Sequence, residues 1–272
     1  MNTLSTYVNA LVDGVRWKAW GLRLDLPPEP VSLSTLRGIW GAALHDLDVS
    51  VYTEVFEGRG EGDMQRPLYV LRTAAGGAGL ECIYMGAALE HEATLTHAWD
   101  IAGGRGIGKR RDPFLVRQHF LLASGPEYTM QSRWPENQPC RIAFLSPLRL
   151  LRKGALIASP TLHDMASAAL RRIRDLQEQE PGLPWREVMA LLSACCDDIP
   201  VLYEPVERKR VTRYSARQER DVELRCVMGA IILPEGPRAL APLLNVAQWL
   251  HVGKGTTIGM GQIELQQLRK PE

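Results

Sequence analysis

Apolar residues recur along this chain with two periods, and the changes of period mark its elements. WKAWGLRLDL, residues 17–26, reads as a first strand stopped by Pro27 and Pro28. In SLSTLRGIWGAALHDL, residues 32–47, the rhythm becomes helical. Leu36, Ile39, Trp40, Ala43, Leu44 and Leu47 form one stripe, and Ser32 or Ser34 stands where a cap is needed. Residues 68–73 and 79–87 predict two strands around a glycine turn. Residues 92–102 predict a helix with Ala93, Leu95, Ala98 and Trp99 on one side, and 103–122 a glycine-bearing turn leading into a strand.

The tract GPEYTMQSRWPENQP, residues 125–139, keeps neither rhythm and reads as a strand end followed by an interdomain linker. Beyond it, RIAFLSPLRLL is a strand interrupted by Pro147. TLHDMASAALRRIRDLQEQ predicts a helix with Thr161 and Asp164 in capping-box spacing and a buried stripe of Leu162, Met165, Ala169, Ile173 and Leu176. PWREVMALLSACCDDI is a further helix opened by Pro184. RVTRYSARQERDVELRCVMGAIIL alternates like strands, residues 239–251 predict a last helix, and a glycine loop and final strand complete the chain. Each half therefore runs strand, helix, strands, helix, glycine loop, strand, which is the split βαβ order. The expected fold class is α+β, with two tandem ferredoxin-like domains. They divide at residues 1–135 and 136–272, the second carrying a basic helical insertion and the C-terminal glycine-rich loop.

Composition adjusts this picture little. The 272 residues suffice for two ordinary domains, and 45% hydrophobic residues supply their cores. Cys82, Cys140, Cys195, Cys196 and Cys226 contain no CxxC pair, which disfavours a zinc cluster. Their odd number and one adjacent pair suit free thiols in a reducing cytoplasm. The first twenty residues lack the basic and long apolar regions of a signal peptide. No window approaches eighteen apolar residues, so no transmembrane helix is expected, and no membrane is among the expected partners.

HVGKGTTIGMGQIEL, residues 251–265, invites a nucleotide reading, but the P-loop spacing fails. Gly253-Lys254 is followed by Gly255, the required earlier glycine is Gln248, and Gln262-Ile263-Glu264-Leu265 alternates as a strand and not a helix. The glycines at 103–108 also miss the dinucleotide spacing GxGxxG. What remains is general: glycines let a backbone lie against a ligand and turn its N–H groups to anions, and Lys254 adds a charge. The alternative is a glycine-rich turn joining two elements.

A net charge of +1 conceals basic blocks. Arg141, Arg149, Arg152, Lys153, Arg171, Arg172 and Arg174 lie within 141–174. Arg208, Lys209, Arg210, Arg213, Arg217, Arg220 and Arg225 lie within 208–225, and Arg105, Lys109, Arg110 and Arg111 crowd a glycine turn. A single block is an ordinary solvated face. Several blocks together with two basic glycine loops point to phosphate contact with RNA or DNA.

In order, LRGIWGAALH (36–45), GGRGIGKRR (103–111), LSPLRLLRKG (145–154), RYSARQ (213–218) and HVGKGTTIGMGQIEL (251–265) resemble the CRISPR-associated endoribonucleases of the RAMP superfamily that process precursor crRNA. The arginine-rich character points within them to the type IV branch. The resemblance implies two ferredoxin-like domains, a glycine-rich loop that contacts RNA, and metal-independent cleavage without a cofactor. It also implies a histidine on the first helix of the first domain, a position His45 occupies. Arg23 and Arg37 stand where they could reach the same pocket, and an arginine-centred site is the alternative if His45 points away. His45 as a helix-end residue favouring the C-terminal dipole is the bland alternative. Expected RNA contacts are Arg105, Lys109, Arg110, Arg111, Arg171, Arg174, Arg213, Arg217 and Lys254. His251, Gly253, Gly255 and Thr256 join them from the glycine loop, although His251 equally suits a helix cap. Tyr214 and Trp249 are candidates for base stacking or for core. No His, Asp and Glu set has metal-ligand spacing, so no metal is expected. The implied partners are CRISPR repeat RNA and other subunits of an effector complex. A non-catalytic crRNA-binding scaffold subunit is the competing reading.

Overall fold

The computed structural model describes residues 3–27, 31–58, 66–74, 79–108, 110–125, 134–135, 137–177, 183–215 and 220–269. In chain order the first elements are α1 (Thr3–Gly14), β1 (Trp17–Asp25), α2 (Leu33–Leu47), β2 (Tyr69–Thr73), β3 (Leu80–Met85), α3 (Glu92–Arg105) and β4 (Leu115–Gly125). Then come β5 (Cys140–Phe144), β6 (Leu151–Arg152), β7 (Ala155–Leu156), α4 (Leu162–Arg174), α5 (Trp185–Asp197) and β8 (Leu202–Tyr203). The chain closes with β9 (Glu207–Ser215), β10 (Arg220–Met228), β11 (Ala230–Leu233), α6 (Ala241–Leu250) and β12 (Ile263–Gln267). Contacts divide the chain into two compact units. One holds Arg16–Gly125 and Thr257–Gly259; the other holds Met1–Val15, Pro126–Thr256 and Met260–Glu272. The first fifteen residues thus pack with the later segment, a grouping that a division at residue 135 does not make.

The unit built on Arg16–Gly125 has a four-stranded antiparallel sheet in the order β2-β3-β1-β4. That is the ferredoxin-like order, with each helix crossing between strands. α2 and α3 pack together over one face, and the core is aromatic. Trp40 stacks on Trp99 at 5.3 Å, meets Tyr69 edge-on at 4.9 Å, and donates its Nε1–H to the Leu95 carbonyl. Trp40 is fully buried, and truncating such a side chain costs about 3–5 kcal/mol. The predicted stripes hold with local exceptions. Leu36, Trp40, Ala43 and Leu44 are buried, but Leu47 is 38% exposed where the helix ends, and Ala93 lies on the outer side of α3. The helix expected to stop at residue 102 continues to Arg105. Gly103 in it lies against the Phe114 backbone, where a side chain would collide, whereas Gly104 faces open space.

The second unit repeats the topology. Its antiparallel sheet runs β12-β5-β11-β8, the same order as β4-β1-β3-β2 of the first. α4 opens with the expected capping box. The Thr161 hydroxyl accepts from the Asp164 backbone N–H, and the Asp164 carboxylate accepts from the Thr161 N–H. Leu162, Met165, Ala169 and Ile173 are buried as the period predicts. The strand-like stretch 207–228 forms a separate two-stranded ribbon, β9 with β10, joined to the body by a bridge between Leu148 and Val227. α1 is an element the sequence expectations do not include, although Leu4, Tyr7, Val8, Leu11, Val12 and Val15 are all buried at helical spacing. It packs against α4, α5 and α6, and Gln177 donates to the Leu11 carbonyl at 2.9 Å.

Candidate functional site

α2 carries two of the three expected catalytic residues. Ser32 caps it, accepting from the Thr35 N–H, and the helix runs four turns to place His45 near its end. The His45 side chain is half exposed, and its ring meets Tyr52 edge-on at 5.0 Å. Nδ1 lies 3.4 Å from Asp46 Oδ1, longer than a good hydrogen bond. Arg105 donates to the other Asp46 oxygen at 2.7 Å, and this bond, with His45 behind it, holds the carboxyl below its usual range. Tyr52 opens a π-helical turn, Tyr52–Glu57, whose wide pitch stacks Tyr52 on Phe56 at 4.9 Å. Burial, and then Glu57, push the Tyr52 phenol above its ordinary value, with Arg37 pulling the other way.

Arg37 lies at the far end of this aromatic run. Its guanidinium sits 4.2 Å over the Phe56 ring, and Nε donates to Tyr69 Oη at 2.7 Å. The same phenol is hydrogen-bonded to Thr257 of the glycine loop. Tyr69 is wholly buried, and that burial raises its phenol far above the ordinary tyrosine value. Arg37 thus has a structural partner that the sequence does not announce. Arg23 is placed elsewhere. Lys18, Trp20 and Leu22 pair with Tyr84, Cys82 and Leu80, on the helix-covered face where Trp40 meets Tyr84. One residue further along β1, exposed Arg23 points from the opposite face, opposite Gln118 in register. His45 and Arg37 share a helix and an aromatic run; Arg23 does not join them.

The glycine loop is shaped by backbone conformations that side chains resist. Gly253, Gly255, Gly259 and Gly261 have φ between 74° and 89°. At Gly261 an added Cβ would run into the Val252 carbonyl oxygen, so only glycine fits. The expectation that the loop offers its backbone N–H groups outward is corrected in part. Lys254 N–H goes to the Arg149 carbonyl at 2.9 Å, Gly261 N–H to Pro147, and Met260 N–H to Gly255. Two of the expected loop contacts have buried side chains. His251 is fully buried and donates from Nδ1 to the Met260 carbonyl at 2.9 Å, closing the loop at the end of α6. Thr256 is 5% exposed. The Lys254 side chain is exposed.

The remaining basic residues sort by what they touch. Arg110 and Arg111 are exposed, Arg111 in the left-handed region at φ 55°. Arg171 is exposed on α4, whereas Arg174 lies over the Trp185 ring at 4.0 Å and near Asp175. Arg213 is half-buried in β9 opposite Val222. Lys109 and Arg217 lie outside the described residues. The ribbon register shows a surface that counting charges missed: Arg210 pairs with Arg225 and Arg208 with Val227, so three arginines share one face. The sequence signal was the period-two spacing of Arg208 and Arg210, but their cross-strand partner required the register. Among the described residues no group of three His, Cys, Asp or Glu is placed to hold a metal ion. All five cysteines are free, and burial pushes the Cys140 and Cys196 thiols up to about 12, so they stay protonated at neutral pH. No described helix is long and apolar enough to cross a membrane.

Residues 142–263 match the family model of CRISPR-associated endoribonuclease Cas6. That stretch runs from β5 into β12 and includes the ribbon and the glycine loop. Over that stretch the chain is similar to Cas6 endoribonucleases. No curated protein matches in sequence. Among solved structures, a Thermus thermophilus Cas6 product complex superposes with a TM-score of 0.65 at 15% identity, covering 92% of this chain and 99% of that one. A second Cas6, in a product complex, gives 0.57 at 17% identity over 93% and 99% of the two chains. The same Cas6 with a substrate mimic gives 0.55 at 19% identity over 93% and 100%. At these identities the likeness establishes the fold: the tandem ferredoxin-like architecture of Cas6 structures extends over both units.

Proposed function

We propose that this Cas6-type chain binds the hairpin of a CRISPR repeat RNA and cuts it without a metal ion, keeping the mature crRNA for an effector complex. The observation that carries this reading is His45, half exposed on α2 and braced by Tyr52, in a chain whose later part matches an endoribonuclease family. The RNA supplies its own nucleophile. His45 removes the 2′-OH proton or protonates the departing 5′ oxygen, the phosphate passes through a five-coordinate state, and a 2′,3′-cyclic phosphate results. DNA lacks the hydroxyl and is inert. Cationic groups that neutralise the extra charge on phosphorus contribute about 3 kcal/mol each when well placed. Lys254, Arg171, Arg110 and the ribbon arginines are exposed cations suited to gripping the stem, which A-form RNA presents as backbone and minor groove.

One observation favours the non-catalytic scaffold reading: Arg37 is committed to Tyr69 and Arg23 leaves from the other face of the sheet. A labelled repeat RNA incubated in EDTA, beside the same RNA with a 2′-deoxy group at the cut, decides between the two. Cutting of the first alone is expected, with a cyclic-phosphate end, and His45→Ala should slow it about 10²–10⁴-fold while binding persists. RNA left whole in both lanes would leave binding as the function.

A further inference from the structure

A groove of about 510 Å³ runs along α2 in the unit built on Arg16–Gly125. One wall is the turn after α3, contributing Arg105, Gly106, Gly108 and Arg111; the other is Thr35, Gly38, Ile39 and Ala42 of α2. Nothing in the reading of catalysis by His45 uses this groove. Its floor is open where α2 presents no bulk. Gly38 has nothing within 4 Å of where a Cβ would stand, and Ala42 beside it is exposed. Gly38, Ala42 and His45 are spaced four and three apart, so they lie along one stripe of the helix. His45 stands one turn beyond the last lining residue of α2, on the same stripe. Its wall is cationic and fixed: Arg105 is anchored on Asp46, and the turn is closed by paired Ile107 and Asp112 backbones, holding Arg111 outward. A space bare of side chains on its helix wall, flanked by two guanidinium groups and with a histidine one turn beyond it, fits a sugar–phosphate backbone better than a folded stem.

We infer that this groove seats the single RNA strand on one side of the cut, delivering the scissile phosphate to His45. The inference rests on His45 being the cutting residue, and it deepens that reading by assigning the strand a path. Three RNAs test it: the full repeat, a fragment ending at the cut and a fragment starting there. Gly38→Trp plugs the groove from the exposed face of α2. It should weaken binding of the full repeat and of one fragment by tenfold or more, leave the other fragment unchanged, and slow cutting of the full repeat. Arg111→Asn keeps the left-handed conformation and should lower the slope of log affinity against log salt by about one for the same fragment only. Equal wild-type binding of all three RNAs by Gly38→Trp and an unchanged slope for Arg111→Asn would overturn the groove while leaving His45 cutting intact. Equal weakening of all three RNAs by both variants also overturns it, because the effect is then not the strand's. Failure of the wild-type protein to cut the repeat overturns the underlying reading and the inference with it.

Discussion

At the residue scale, chemistry and structure compete for the same side chains. Arg37 is the sharpest case. A buried phenol whose partners are Arg37 and Thr257 cannot lose one of them without cost. Arg37→Ala should therefore destabilise the protein by about 1–3 kcal/mol, measured by urea unfolding, whatever it does to RNA cutting. An unchanged midpoint would mean that the guanidinium contributes nothing to the fold. His45 differs, since its half-exposed ring packs only edge-on against Tyr52, and His45→Ala should leave the unfolding free energy within about 0.5 kcal/mol of the wild type. His251 shows the limit of reading residue types. A histidine beside a glycine loop has the composition of a binding residue, yet its burial and its bond to Met260 make it a clasp of the loop.

At the element scale, two features carry measurable weight. The capping box of α4 places Asp164 beside the Thr161 N–H and hydroxyl and the Arg152 guanidinium. Burial pushes its carboxyl up, but these bonds outweigh burial and hold it below the ordinary value. A group depressed in this way stabilises the fold above the unfolded-state value and loses that contribution as pH falls through its folded value. Asp164→Asn should cost about 1 kcal/mol near neutrality, and the gap from wild type should stay level down to about pH 5 and close on further acidification. A gap that widens in acid would contradict this sign. In the glycine loop, Gly261→Ala sets a methyl against the Val252 carbonyl at a φ of 74°. Destabilisation of about 2 kcal/mol or more is expected in the same unfolding measurement. The apolar period of α1 is weaker than that of the α4 stripe, and the capping box of α4 was legible as Thr161 and Asp164 three apart. The end of α3 was not, because glycines at 103 and 104 signal a turn, and that the Phe114 backbone lies against Gly103 is a tertiary fact.

At the scale of the whole molecule, near-neutral net charge coexists with local cationic surfaces. The β9–β10 ribbon gathers Arg208, Arg210 and Arg225 on one face, with Arg210 also near Glu223. Like charges held side by side on a ribbon are unfavourable unless an anion satisfies them. Replacing all three by alanine should flatten the dependence of log RNA affinity on log salt by about two to three, while cutting at saturating RNA is retained. An unchanged salt slope would remove the ribbon from the RNA surface. Arg171, exposed on α4, and Arg174, held over Trp185, show that even neighbouring basic residues on one helix divide between surface and packing.

By itself the sequence determined what depends on neighbours along the chain: the periods of its strands and helices, the Thr161–Asp164 cap, the failure of both nucleotide motifs and the twofold ferredoxin-like order. These arise from local backbone geometry, which residues a few positions apart specify. The tertiary structure decided what depends on residues far apart. It put α1 with the later segment, gave Arg37 a buried phenol, turned Arg23 to the other face of the sheet, buried His251 and brought Arg225 opposite Arg210. Those outcomes come from pairing register and packing between segments tens of residues apart, and no local pattern encodes which partner a side chain meets.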